Sequence, residues 1–163
     1  MTEINERILR SKVRTWFKNI YKDKLVTEPV ILHDLNMTVT EYLKKNFFGK
    51  ELSLILDYDK MYVRPDIIAL VRLRTKHLAL VIAECKVGLV RVSDFRQALD
   101  YARVCKSYQA YLVFHGKLSN EVKRRLRVMD NVYEGYNSFS RLVRKFLHVV
   151  KYHGNMLFEF VRY

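Results

Sequence analysis

The 163-residue chain is half hydrophobic and carries 30 Lys and Arg residues against 17 Asp and Glu residues, a formal net charge of +13. This composition excludes a disordered polar chain, and the length suits one domain with a sizeable core. The two cysteines lack a CxxC spacing, which excludes both a disulfide framework and a four-thiolate metal site.

The charge and the amino-terminal segment indicate the kind of partner and the compartment. A strongly positive surface field favours a polyanion, and nucleic acid is the first candidate. The segment MTEINERILR alternates charged and apolar residues and lacks the apolar stretch of a signal peptide or membrane span. We therefore expect a soluble, intracellular, cytoplasmic protein with no membrane partner.

The first third of the sequence predicts two helices and one extended segment. Apolar residues at helical spacing predict an amphipathic helix over residues 2–21. Residues 25–32 predict a short strand, limited by Pro29, which cannot donate a hydrogen bond to a central ladder. A capping box of Thr38 and Glu41 begins a predicted helix over residues 38–48, and Gly49 is its expected stop.

Three runs rich in branched residues follow, and they predict an antiparallel meander of strands. The runs are LSLILDY from Leu52, YVRPDIIALVRL from Tyr62 and LALVIAECKV from Leu78. Both faces of the third run are apolar, so it is predicted to be central in the sheet. A predicted helix over residues 93–106 then leads to a strand over residues 110–114, which is expected to pair in parallel with that central strand.

The last third predicts a basic helical extension over about residues 117–163, attached to a core of about residues 1–115 within a single domain. Helices are predicted over residues 119–129 and 139–151, with a terminal strand over residues 156–161. Clustered basic side chains are ordinarily solvated helix faces, but they are also candidate nucleic-acid contacts. These candidates are Lys123, Arg124, Arg125, Arg127, Arg141, Arg144 and Lys145.

Two of the predicted strands carry acidic residues among apolar ones. Strand alternation projects Glu84 and Lys86 to one face and Cys85 to the other. Asp66 lies on the neighbouring antiparallel strand. Two carboxylates from adjacent strands can share a divalent cation, because Mg²⁺ accepts one or two carboxylates and keeps its other positions for water and phosphate.

The sequences Pro65-Asp66 and Glu84-Cys85-Lys86, in the predicted α-β-β-β-α-β order, resemble the PD-(D/E)xK nuclease superfamily with its restriction-endonuclease-like fold. The resemblance implies an α/β protein whose mixed central sheet is flanked by helices and which cuts DNA with Mg²⁺ or Mn²⁺. It also implies that Asp66, Glu84 and the main-chain carbonyl of Cys85 hold the metal. Lys86 would orient or activate the attacking water.

Further residues extend the resemblance into both helices. Gln97-x-x-x-Tyr101 is similar to the signature of the RecB-like branch, and residues four apart share a helical face, so both are catalytic candidates. Many members also take an acid from the first helix, which we carry over to Glu6, with Glu3 as second choice. A capping acid is the alternative interpretation of Glu6. Two cysteines are too few for the cluster-bearing branches, which need four.

Simpler interpretations stay open beside the nuclease hypothesis. Asp66 has the alternative of an ion pair with Arg64 or Arg72, and Glu84 that of an ion pair with Lys86. The fold is also compatible with a non-catalytic nucleic-acid-binding or assembly protein, and a third alternative is a module that binds an acidic protein or membrane surface. Many such nucleases pair two sites to cut two strands, so a homodimer is an alternative to a monomer.

Overall fold

The computed structural model describes residues 3–162, which contain both helices and strands. No helix in this part of the chain is long and apolar enough to cross a membrane. In chain order the elements are α1 (Glu6–Ile20), β1 (Val30–Ile31), α2 (Val39–Asn46), α3 (Gly49–Ser53), β2 (Ile67–Arg72), β3 (Leu78–Val90), α4 (Val92–Cys105), β4 (Gln109–Leu118), α5 (Asn120–Arg127), β5 (Val132–Tyr136), β6 (Leu142–Phe146), β7 (His148–Gly154) and β8 (Leu157–Phe160).

A mixed six-stranded sheet forms the centre of the molecule, with the strand order β1-β2-β3-β4-β7-β8. The strands β1, β2 and β3 are antiparallel neighbours, whereas β4 lies parallel to both β3 and β7. The remaining strands, β5 and β6, form a separate antiparallel hairpin. The parallel pair β3 and β4 is the longest in the sheet, and it requires the crossover that α4 supplies.

Helices cover both faces of the sheet, because alternate residues of the central strand β3 are apolar on each face. Helix α1 packs Leu9, Val13 and Phe17 on one face. Helices α2, α4 and α5 pack on the other face, where α4 contributes Phe95 and Ala102. The result is a three-layered α/β arrangement with one apolar cluster on each side of the sheet.

The structure confirms several elements predicted from the sequence. The first helix spans Glu6–Ile20, although residue 2, where the prediction begins, lies outside the described residues. Helix α2 begins with the capping box in which Thr38 and Glu41 exchange hydrogen bonds. Strand β3 is central, α4 follows it, and β4 pairs with it in parallel. Strands at residues 25–32 and 156–161 are present in shortened form as β1 and β8.

The predicted strand over residues 52–58 is wrong. This segment continues α3 to Ser53, then makes one bridge, from Ile55 to Leu78, and ends in a 3₁₀ turn. Asp57 takes the left-handed conformation with φ 56°, which an extended strand does not allow. Consequently, the first strand of the meander is β1 at Val30–Ile31, with α2 and α3 inserted before β2.

The structure confirms the predicted helix over residues 119–129 as α5, but the predicted helix over residues 139–151 is wrong. These residues form β6 and β7, and β7 joins the central sheet beside β4. The branched pair Val149 and Val150 is buried on opposite faces of the sheet, one in each apolar cluster. Pairing with β4 therefore makes β7 a strand, although the spacing of its apolar residues predicted a helix.

Two facing glycines permit the close approach of β3 and β4 near their carboxyl ends. Gly116 has a φ of +147°, and a Cβ built on it would lie 2.1 Å from the carbonyl oxygen of Gly88. Gly88 has a φ of +94°, but a Cβ there would meet nothing within 4 Å. Both positions carry backbone strain for other residues, and Gly116 alone carries a steric clash.

We expect Gly116→Ala to destabilise the protein more than Gly88→Ala, by roughly 1–3 kcal/mol, because only the first substitution forces strand separation. The free energy of unfolding from urea titration of both variants measures this difference. Equal destabilisation would contradict the clash at Gly116 and leave backbone strain as the whole effect.

Candidate active site

Strand β3 continues past the beginning of its neighbour β2, which leaves a gap beside it. The register pairs Ile67 with Ala83, so residues of β3 beyond Ala83 have no partner in β2. Asp66, directly before β2, fills the gap: its Oδ2 accepts a hydrogen bond from the Cys85 N–H at 2.8 Å. The Asp66 N–H in turn donates to Glu84 Oε1 at 3.0 Å. Side-chain hydrogen bonds thus continue the ladder where the strand pairing stops.

A cavity of about 230 Å³ lies at this gap and collects ionisable groups from both helical layers. Helices α1 and α4 reach it from opposite faces of the sheet, because the sheet is interrupted there. Its walls carry four carboxyl groups and four basic side chains, which are Glu6, Asp66, Glu84 and Asp94, and Arg10, His33, Arg64 and Lys86.

Arg10 is the principal counter-charge of Asp66. This buried guanidinium donates from Nε to Asp66 Oδ1 at 3.0 Å and from Nη2 to Glu6 Oε2 at 3.3 Å. His33 Nδ1 lies 3.4 Å from the same Asp66 oxygen. Arg10 thereby links the first turns of α1 to the beginning of β2, and its charge partly balances a carboxylate pair that would otherwise repel.

Asp66 does not pair with the arginines that sequence proximity suggests. Arg64 donates to Asn36 Oδ1 at 2.8 Å, and Arg72 donates to the Lys76 carbonyl at 3.5 Å. Asp66 therefore forms an ion pair, as the alternative interpretation predicts, but its partner is Arg10.

Lys86 projects to the same face as Glu84, as strand alternation predicts, but it contacts other carboxylates. Its Nζ lies 3.6 Å from Glu6 Oε1 and 3.5 Å from Asp94 Oδ1. Its side chain is 37% exposed, so the ammonium is held by two acids and is still accessible from solvent. Glu6, predicted as the acid from the first helix, reaches the cavity through this contact.

The electrostatics of the gap favour neutral carboxyl groups. Burial, together with the negative charge of Asp66, raises the pKa of Glu84 to about 9. Burial also raises the pKa of Asp66, against the opposing effects of the Cys85 amide and of Arg10. The pKa of the Cys85 thiol is raised by burial as well, so this side chain is a core group and not a nucleophile.

The Gln-Tyr pair of α4 is only half inside the cavity. Gln97 lines the cavity wall, and its Nε2 donates to Tyr101 Oη at 2.8 Å. Tyr101 lies one turn further along and packs against the apolar cluster, so it orients Gln97. Glu3, the second choice for the helix-derived acid, is exposed and lines a different cavity of about 1020 Å³.

The donor set at the gap fits a hard divalent cation in its chemistry. Asp66 and Glu84 offer carboxylate oxygens, and the Cys85 carbonyl points to the same side of β3 as its N–H, toward Asp66. Within residues 3–162, no group of three or more His, Cys, Asp and Glu side chains is arranged to hold a metal ion. The possible ligands are therefore two carboxylates and a carbonyl, with Glu6 engaged by Arg10 and Lys86.

The predicted basic contacts of α5 are partly engaged within the protein. Arg125 donates to Asp130 Oδ2 at 2.7 Å and to Glu121 Oε1 at 3.5 Å. Arg124 lies 3.9 Å from the same Glu121 oxygen. Lys123 lines a cavity beside β4, and Arg127 is exposed.

The predicted basic contacts in the β5–β6 hairpin lie toward the amino-terminal half of β3, whereas the cavity lies beyond Ala83. The hairpin contacts the β2–β3 turn, where the Arg74 N–H donates to the Ser138 carbonyl at 2.9 Å. That turn is seven residues of extended strand, about 23 Å, from Glu84. The positions concerned are Arg141, Arg144, whose guanidinium lies 5.6 Å from the Phe146 ring centre, and Lys145, which donates to the Tyr108 carbonyl at 2.6 Å.

Sequence reasoning missed three groups of the cavity. Arg10 follows Glu6 by one helical turn, so the shared helical face was an available signal. Asp94 accepts a hydrogen bond from the Arg91 N–H at 2.8 Å, and its position in the first turn of α4 suggests capping alone. His33 lies in a 3₁₀ turn after β1, and no spacing in the sequence connects it with Asp66.

Comparison of the chain with family models, with curated proteins and with solved structures gives no match.

We expect the stability of the protein relative to Glu84→Gln to fall as the pH rises from about 4.5 to about 9. The pKa of Glu84 is raised in the folded state, so its favourable contribution is complete below its ordinary pKa of 4.5 and is lost toward pH 9. One proton gives a slope of at most about 1.4 kcal/mol per pH unit. Urea unfolding of both proteins across this range, in EDTA, measures the difference.

The control for this titration is Glu51→Gln, at an exposed carboxylate on α3. It is expected to leave the shape of the pH profile unchanged. If the free energy of unfolding changed with pH in the same way in the parent protein and in Glu84→Gln, the Glu84 carboxyl would not be held neutral by its surroundings.

Proposed function

We propose that this protein is a Mg²⁺- or Mn²⁺-dependent deoxyribonuclease of the PD-(D/E)xK type. One observation carries the proposal: Asp66, Glu84 and Lys86 line a single cavity at the interruption between β2 and β3. A buried carboxylate pair beside an accessible ammonium is costly to maintain, and such groups concentrate at functional sites.

The order of elements supports the restriction-endonuclease-like fold. Helix α1, the antiparallel strands β1, β2 and β3, helix α4 and the parallel strand β4 follow the α-β-β-β-α-β order of that fold. The segments α2, α3 and everything beyond β4 are additions to this order.

In the proposed site, Asp66, Glu84 and the Cys85 carbonyl would hold the metal ion. When bound, the ion lowers the pKa of a water molecule and neutralises charge that develops on the phosphate. Arg10 keeps Asp66 in place through the bond to Oδ1, and each carboxylate oxygen has a further lone pair for a second partner. Glu84 must lose its proton to become a ligand, so we expect metal binding to release protons.

Lys86 and Gln97 act directly on the reacting groups. Glu6 and Asp94 position the Lys86 ammonium at the cavity opening, where it donates hydrogen bonds to the attacking water or to a phosphate oxygen. The Gln97 amide is oriented by Tyr101 and contributes a further polar contact at the wall.

The net charge of +13 attracts DNA regardless of its sequence, and contacts to phosphate carry no base specificity. The homodimer, given above as an alternative to a monomer, stays a prediction.

We expect Glu84→Ala and Lys86→Ala to lower the rate of Mg²⁺-dependent DNA cleavage by about 10²-fold or more, because each removes a group that acts at the reacting phosphate. Cleavage is measured on labelled single-stranded, duplex and branched DNA. Glu51→Ala and Lys50→Ala, at exposed positions of α3, are the charge-matched controls and should cleave at the parent rate. Cleavage by Glu84→Ala at the parent rate would refute the assignment.

Metal binding can be tested without cleavage. We expect Mg²⁺ or Mn²⁺ to stabilise the parent protein, by about 2.7 kcal/mol at 100 times the dissociation constant, and to have no effect on Asp66→Asn. The free energy of unfolding, with and without the metal, measures this effect. Asp59→Asn, at an exposed position in the 3₁₀ turn before β2, is the control and should retain the stabilisation. An equal response of Asp66→Asn and the parent would place the metal elsewhere.

A second candidate function is non-catalytic nucleic-acid binding on the same fold. The observation that favours it is the Arg10 guanidinium on Asp66, which supplies a positive charge without a metal. DNA binding that EDTA does not change, together with no cleavage of linear, circular or single-stranded DNA, would favour this candidate over the enzyme.

A further inference from the structure

A second cavity, of about 600 Å³, lies beside the carboxyl end of β4 and carries only positive charge. Three lysines from three elements line it: Lys117 on β4, Lys123 on α5 and Lys151 on β7. The other lining residues are uncharged, and Leu89 and Phe114 supply an apolar wall. We call this the lysine cavity.

The three ammonium groups have no hydrogen-bond or ion-pair partner among residues 3–162. Lys86, in the candidate active site, is by contrast paired with Glu6 and Asp94. Glu159 lies opposite Lys151 in the β7–β8 register, but its carboxylate binds His153. The three lysines line the cavity with no carboxylate among its other lining residues, so an anion that entered it would meet only positive charge.

The lysine cavity and the candidate active site are connected through the sheet. Lys86 on β3, Phe114 on β4 and Lys151 on β7 are in register, and residues in register project to the same face. Lys86 and Lys151 are thus two strand spacings apart, about 10 Å between their backbones. Neighbouring phosphates of one nucleic-acid strand can therefore reach both side chains over the same face of the sheet.

We infer that the lysine cavity binds a backbone phosphate of the nucleic acid, close along the strand to the phosphate in the candidate active site. This inference rests on the proposed function for its ligand. Ammonium groups bind phosphate as charged hydrogen-bond donors, and the apolar wall suits the adjoining sugar or base. The contact adds affinity and fixes the position of the strand, and it carries no sequence specificity.

The test is the salt dependence of nucleic-acid binding, measured in EDTA by fluorescence anisotropy with labelled single-stranded and duplex oligonucleotides. The plot of log K against log salt has a negative slope, and each lost phosphate contact makes it less steep by about 0.9 on duplex DNA and about 0.7 on single strands. Replacing all three lysines by Gln removes this one phosphate contact, so the slope should become less steep by about 0.9 on duplex DNA and about 0.7 on single strands, and replacing them by Arg should preserve the parent slope. The charge-matched control replaces three exposed lysines of α2 and α3 by Gln, namely Lys44, Lys45 and Lys50.

The outcomes separate this inference from the proposed function. An unchanged slope in the Gln variant, or an equal loss in the control, overturns the lysine cavity as a nucleic-acid contact. A less steep slope in the Gln variant, together with no DNA cleavage by the parent protein, supports the cavity and refutes the nuclease. A third arm titrates inorganic phosphate by calorimetry: lysine-dependent binding of free phosphate with an unchanged DNA slope would assign the cavity to a small phosphate ligand and overturn the inference.

Discussion

The hydrogen bond from the Cys85 N–H to the Asp66 carboxylate compensates for a strand that begins late. Beyond Ala83 the central strand β3 has no β2 backbone beside it, and an unpaired buried N–H costs free energy comparable to a lost hydrogen bond. Asp66 satisfies this donor at 2.8 Å, and its second oxygen binds Arg10 of α1. The Asp66 carboxylate, at the beginning of β2, therefore connects β3 with helix α1.

This arrangement explains why charged groups from two helical layers meet at one place. An uninterrupted sheet would separate α1 from α4, whereas the gap lets Glu6 and Asp94 approach the same ammonium, that of Lys86. The cavity is thus a product of sheet topology. The same shortening of β2 that creates a structural problem for β3 creates the space in which a phosphate and a cation could be accommodated.

The parts of the fold that the sequence predicted correctly are those in which local pattern and tertiary environment agree. Strand β3 is apolar on both faces and is central, and α2 begins with its capping box. The segments 52–58 and 139–151 were mispredicted because distant partners decide them: Asp57 binds Lys106 and Tyr136, and β7 is a strand because β4 lies beside it. Asp66, Glu84 and Lys86 were predictable from strand alternation, whereas His33 approaches them only through the tertiary fold.

The origin of the cavity groups has a consequence for folding. Residues 6, 33, 66, 84 and 94 come from separate segments, and the last of them reaches the cavity only when α4 has packed across the parallel strands. Parallel pairing of β3 with β4 requires closure of a long loop and is intrinsically slow. A nascent or partly folded chain consequently has its acidic and basic groups dispersed in solvent, and the complete cluster forms only as the whole sheet and both helical layers come together.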